Sequence, residues 1–117
     1  MTQIPTTSEL IKKYDLAANK SLGQNFILDK NVTDKIARSA GDLTKYVTLE
    51  IGPGPGSLTR SILDSNPERL IVIERDRRFL DALNEIKSFH QEKLEIIEGD
   101  ALEIDEISLF PENYFTA

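Results

Sequence analysis

The stretch from Tyr46 to Ser57, YVTLEIGPGPGS, most constrains what this chain can fold into. Val47, Leu49 and Ile51 fall two apart in an apolar, β-rich run, which predicts a strand. Gly52, Pro53, Gly54, Pro55 and Gly56 follow, a turn in which small residues keep side chains off the backbone. Leu58, Ile62 and Leu63 then resume at helical spacing, which predicts a helix over Ser57–Asp64. Strand, glycine turn and helix together present backbone N–H groups and a helix N-terminus to a ligand.

The flanking chain repeats this logic. Asn66-Pro67 ends the helix, and Arg69–Glu74 (RLIVIE) is a continuous apolar run suited to a strand buried on both faces. Asp76 is placed to cap a helix reaching about Ser88, with Phe79, Leu80, Leu83 and Ile86 on its apolar side. Lys93–Glu98 (KLEIIE) reads as a third strand. Ahead of the first strand, Thr7 or Ser8 can cap a short helix from Glu9 to about Leu16. Asp29 or Asn31 can cap another, Lys30–Ala40, with Val32, Ile36 and Ala40 four apart and Gly41 as its stop. Residues 17–31 and the last sixteen read mostly as loop, with one helical turn near Ile107.

The order is helices, then β-α-β-α-β. Right-handed crossovers make this a parallel α/β sheet that binds ligands at the carboxyl ends of its strands. With three strands the first would have one edge unpaired, which predicts self-association or completion by further chain.

Composition narrows the classes. The 117 residues suit one domain or part of one, and they contain no cysteine, so disulfides and thiolate metal sites are excluded. No apolar run approaches the roughly 18 residues of a membrane span, and the N-terminus lacks the charge pattern of a signal peptide. A cytoplasmic protein without membrane partners is expected. Net charge is −6. Residues 1–46 carry seven Lys/Arg against five Asp/Glu, and residues 47–117 carry seven against fifteen. Phosphate-driven nucleic-acid binding is disfavoured for most of the chain and belongs, if anywhere, to the N-terminal third.

The three predicted strand ends carry the candidate chemistry. The first ends in Glu50-Ile51 and the glycine turn, the second in Glu74, the third in Gly99-Asp100-Ala101. A carboxylate at the second strand end can accept two hydrogen bonds from a ribose diol. Asp100 can accept one from the exocyclic amine of a base. A dinucleotide fingerprint would need G-x-G-x-x-G, but Ser57 stands where its third glycine belongs. The spacing is G-x-G-x-G, which suits S-adenosyl-L-methionine, a ligand with a sulfonium rather than a pyrophosphate. No Gly-Lys-Ser/Thr follows, so this is not a Walker loop. Glu50 is expected to order the turn by accepting its backbone N–H groups. Arg75, Arg77 and Arg78 read as surface charge.

Four runs carry a resemblance: KSLGQNF at 20–26, LEIGPGPGSLT at 49–59, VIERD at 72–76 and EGDAL at 98–102. Together, over about residues 8–105, they resemble the rRNA adenine dimethyltransferase family. The Gly23-Gln24-Asn25-Phe26 segment, at its distance ahead of the turn, makes the likeness specific. The resemblance implies a Rossmann-like methyltransferase fold followed by a small helical domain. It implies dimethylation of two adjacent adenines near the 3′ end of small-subunit rRNA, with S-adenosylmethionine as donor and the immature small ribosomal subunit as partner. It implies that Asn25 and Ile27 line the methionine side of the cofactor, with Gln24 in the same cofactor-binding segment, that Gly52 contacts the cofactor by its backbone within the turn that Gly54 and Gly56 complete, that Glu74 holds the ribose, and that Asp100, with Ala101 beside it, holds the adenine. The family's Asn-(Leu/Ile)-Pro-(Tyr/Phe) run, which receives the target amine, does not occur in these 117 residues; Pro111-Glu112-Asn113-Tyr114 has similar letters in another order. Residues 1–117 are thus expected to be the cofactor half of the methyltransferase domain, inactive alone. The alternative is a cofactor- or rRNA-binding assembly module without catalysis.

Overall fold

A computed structural model of the chain describes residues 4–16, 28–103 and 114–116. Among the described residues four parallel strands form one sheet: β1 (Val47–Ile51), β2 (Arg69–Glu74), β3 (Leu94–Glu98) and β4 (Tyr114–Thr116), in the order β3-β2-β1-β4. Helix α3 (Ser57–Asp64) connects β1 to β2. A single 3-10 turn (Arg77–Phe79) and α4 (Leu80–His90) connect β2 to β3. Helices α1 (Thr7–Lys13) and α2 (Lys30–Ser39) precede the sheet. This is the expected α/β order, with one strand more.

The extra strand corrects an expectation. The edge of β1 predicted to lie open is paired with β4 over Val47, Thr48 and Leu49. Three residues of Tyr-Phe-Thr are too short to show a period, so the sequence pattern did not separate them from loop. The premise for self-association through that edge is removed over those residues.

Alternation along β2 divides the core in two. Leu70 and Val72 join Leu10, Ile62, Leu83, Ile86 and Leu94 in the main cluster, on the side that carries the helices. Ile71 and Ile73 face the other way, with Leu49. All four apolar residues of β2 are buried, which explains its unbroken hydrophobic run.

The helix starts show local chemistry. Thr6 caps α1, not Thr7 or Ser8. Glu9 N–H donates to Thr6 Oγ1 at 3.1 Å and Thr6 N–H donates to Glu9 Oε1 at 2.9 Å, a reciprocal capping box. The helix ends at Lys13, yet Leu16 beyond it is fully buried. Asp29 caps α2 through Asn31 N–H, as expected. The buried side of α2 is Thr33 and Ala37, not Val32 and Ile36, which remain 42% and 41% exposed. Polar pairing sets this register: Ser61 of α3 donates its hydroxyl to Thr33 Oγ1 at 2.7 Å inside the α2–α3 contact. Asp76 caps the 3-10 turn ahead of α4 by accepting from Arg78 N–H.

Gly56 is the N-cap of α3 in a left-handed conformation, φ +90°. A Cβ there would lie 2.4 Å from Ile86 Cδ1 and 3.4 Å from Leu83 Cδ2. It is the point at which α4 closes on the glycine turn. Gly56→Ala therefore combines left-handed strain with overpacking and should cost about 2–4 kcal/mol, read as a lowered midpoint in urea unfolding. An unchanged midpoint would contradict the packing.

Candidate functional site

The parallel sheet brings the ends of β1, β2 and β3 side by side. Its ladder continues past the strands: Gly52 N–H donates to Ile73 O at 2.9 Å and Gly99 N–H to Glu74 O at 3.0 Å. Gly52, Glu74 and Asp100 are thereby fixed along one edge.

Glu74 is the centre of this edge. It is buried, and both carboxylate oxygens are engaged. Oε1 accepts from Gly54 N–H at 2.8 Å and Oε2 accepts from Asp76 N–H at 3.0 Å. One side chain therefore ties the glycine turn after β1 to the loop after β2. The sequence reading gave the ordering of the turn to Glu50, and the Gly54 amide instead goes to Glu74. Glu50 lies beneath the turn, 4% exposed, and accepts from the Thr59 hydroxyl in the first turn of α3 at 2.6 Å. Burial, with Glu74 nearby, pushes the Glu50 carboxyl up to about 7, against the pull of the Thr59 hydrogen bond. Thr59 did not stand out in the sequence. Its signal is positional: the first turn of the helix following a strand end is where a donor to that strand's last buried carboxyl must sit.

The glycines divide their work. Gly52 has φ +67°, and a Cβ built there meets nothing within 4 Å, so a ligand can approach its backbone. Gly54 gives its N–H to Glu74, and Gly56 faces α4. Asp100 Oδ1 accepts from Leu102 N–H at 2.9 Å, capping the 3-10 turn Ala101–Glu103. Its Oδ2 lies 4.0 Å from Arg75 Nη1. Ala101 packs with Leu49, Ile71 and Ile73 beneath the sheet edge. The structure brings Gly52, Gly54, Glu74, Asp100 and Ala101 to one edge. Gln24, Asn25 and Ile27 lie outside the described residues.

The arginines after β2 are paired rather than merely solvated. Arg78 Nε and Nη2 donate to Asp76 at 3.0 and 2.8 Å, and Arg77 Nε lies 3.1 Å from Glu98 Oε1. All are at the surface, where such pairs contribute little to stability. A separate cavity of about 130 Å³ lies between the first turns of α1, α2 and α3, lined by Thr6, Lys30, Thr33, Ser57 and Arg60 among others. Among the described residues no helix is long and apolar enough to cross a membrane, and no cluster of three His, Cys, Asp or Glu could hold a metal ion.

The acceptors at this edge are of the kind a nucleoside with a ribose diol can use. Each Glu74 oxygen takes one backbone N–H here, and a carboxylate offers about four acceptor sites, so two remain for hydroxyls. Asp100 Oδ2 has Arg75 Nη1 at 4.0 Å and can still accept a hydrogen bond, as from an exocyclic amine.

The Glu50 carboxyl makes stability depend on pH. Its folded value lies above its unfolded one, so the folded protein binds the extra proton between about pH 4.5 and 7. Stability falls as pH rises through that window. Ionising Glu50 should cost about 3 kcal/mol by pH 8. Glu50→Gln keeps an acceptor for Thr59 and removes the titration. Urea unfolding at pH 5 and pH 8 should show the variant gaining on the wild type at the higher pH. Parallel profiles would contradict the assignment.

Comparison with known proteins is consistent with this geometry. The family model described as ribosomal RNA adenine dimethylase matches residues 16–114. Ribosomal RNA small subunit methyltransferase A of Rhodopseudomonas palustris is 54% identical over 102 residues, covering 87% of this chain and 36% of that protein. The protein of the same name from Ruegeria pomeroyi is 53% identical over 105 residues, covering 90% of this chain and 38% of that protein. Among solved structures, the 23S rRNA methyltransferase ErmE superimposes with a TM-score of 0.68 at 30% identity, covering 79% of this chain and 36% of that one. The chain spans little more than a third of the length of these relatives. It belongs to the ribosomal RNA adenine dimethylase family, and its fold is that of Rossmann-like methyltransferases.

Proposed function

We propose that membership of this family carries its chemistry to the site described: the chain is the cofactor half of an enzyme that dimethylates two adjacent adenines near the 3′ end of small-subunit rRNA. The observation that carries the reading is the convergence of Gly52, Glu74 and Asp100 on one sheet edge, with an open backbone, a diol acceptor and an amine acceptor in that order. S-adenosyl-L-methionine supplies the electrophilic methyl on a sulfonium. The chain supplies its binding. Glu74 accepts from the ribose hydroxyls with the oxygens that hold the turn. Asp100 Oδ2 accepts from the adenine amine, and Ala101 lies beside the base. The Gly52 backbone admits the ligand where any side chain would stand in the way. The family resemblance assigns the methionine side to the segment of Gln24, Asn25 and Ile27.

The acceptor side belongs elsewhere in the family pattern. An adenine amine must be held in line with the methyl and must lose a proton, and the target base must leave its stack. The Asn-(Leu/Ile)-Pro-(Tyr/Phe) run that does this is not among these 117 residues. Residues 1–117 supply the cofactor side of that reaction. The partner in this reading is the immature small ribosomal subunit and the compartment the cytoplasm; the names of the relatives support small-subunit rRNA as the substrate.

Titration calorimetry with S-adenosylhomocysteine tests the cofactor reading. Saturable binding is expected, weakened about tenfold or more by Asp100→Ala through loss of a hydrogen bond to a carboxylate. No heat at high protein concentration, or an unaffected variant, would overturn it.

A further inference from the structure

Two buried carboxyl groups flank the glycine turn, and only one has a task in the proposed site. Glu74 is held by two backbone N–H groups and faces the ribose side. Glu50 sits beneath the turn at the end of β1, with the Thr59 hydroxyl as its donor. The groups around it are few. From β2, the neighbouring ionisable group is Glu74, of the same sign. From α3 come Thr59 and, further along, Arg60, which lies in the field of Asp64 and Glu9. From the turn before α4, Asp76 and Arg78 pair with each other. Strand β4 carries Tyr114, Phe115 and Thr116, none of them ordinarily charged at neutral pH. No positive group among the described residues is paired with Glu50.

The ligand of this turn differs in charge before and after reaction. The methyl donor carries a sulfonium, and its thioether product does not. The amino-acid end is common to both. Resting on the cofactor reading above, we infer that Glu50 is a charge sensor: it holds a proton while the turn is empty or filled by the neutral thioether, and releases it to solvent when a sulfonium occupies the turn. The sulfonium then provides the counter-charge that Glu50 lacks among the described residues. Binding of donor becomes proton-linked, binding of product does not, and the preference for donor over product rises with pH. The acid form at β1 also explains why a buried carboxyl can stand beside a second one with no arginine or lysine paired to it among the described residues.

The test is calorimetric titration of the 117-residue chain with S-adenosylmethionine and S-adenosylhomocysteine at pH 6, 7 and 8, in buffers of different ionisation enthalpy. The donor should release up to one proton near pH 6 and the product none. The ratio of the two affinities should rise about tenfold from pH 6 to 8, the change expected when the donor displaces the Glu50 carboxyl from about 7 to well below 6. In Glu50→Gln the ratio should be flat. A flat ratio in the wild type, or a persisting slope in the variant, overturns the inference while leaving the cofactor reading intact. Binding of neither ligand overturns both. Should the variant fail to fold, carbon NMR of the wild-type Glu50 carboxyl decides: its titration midpoint must fall on saturation with donor and stay in place with product, and any other result refutes the sensor.

Discussion

The carboxylate of Glu74 is the interaction on which the site depends. Its two oxygens clasp Gly54 N–H from one loop and Asp76 N–H from the next. A buried carboxylate without such donors would be costly. Two backbone donors offset that cost, and in return the carboxylate sets the distance between the glycine turn and the start of α4. The turn can adopt this shape because Gly52, Gly54 and Gly56 all have positive φ. It stays there because α4 closes on Gly56 through Ile86 and Leu83. The residue read as a ribose acceptor is thus also the brace of the turn.

Beneath this brace, Glu50 obeys the opposite logic. Among the described residues it has a hydroxyl donor in place of backbone amides, and no cation paired with it. Burial then favours its protonated form. The edge therefore contains two carboxyl groups of the same type with different electrostatic roles, set by their donors and not by their identity.

What the sequence showed clearly was what local pattern controls. The alternation of Val47, Leu49 and Ile51, the glycine turn and the continuous run Leu70–Ile73 placed the strands and their carboxyl ends, and with them Glu74 and Asp100. The G-Q-N-F segment and the turn together pointed to the family that the comparisons then showed. What the sequence hid depends on contacts distant along the chain. Strand β4 is defined by its pairing with Val47–Leu49, not by any period of its own. Val32 and Ile36 have helical spacing, but the Ser61–Thr33 hydrogen bond turns the other side of α2 inward. The roles of Glu50 and Glu74 in holding the turn could not be separated until the direction of the Gly54 amide was known.

The central claim is that the edge formed by Gly52, Glu74 and Asp100 binds a nucleoside cofactor. Amide chemical-shift mapping of the ¹⁵N-labelled chain on addition of S-adenosylhomocysteine tests it most directly. The account predicts shifts concentrated at Gly52, Gly54, Arg75, Asp100 and Ala101, with the amino-terminal ends of the strands around Glu68 and Glu92 unmoved. Shifts absent from those residues, or centred on the cavity between α1, α2 and α3, would contradict it.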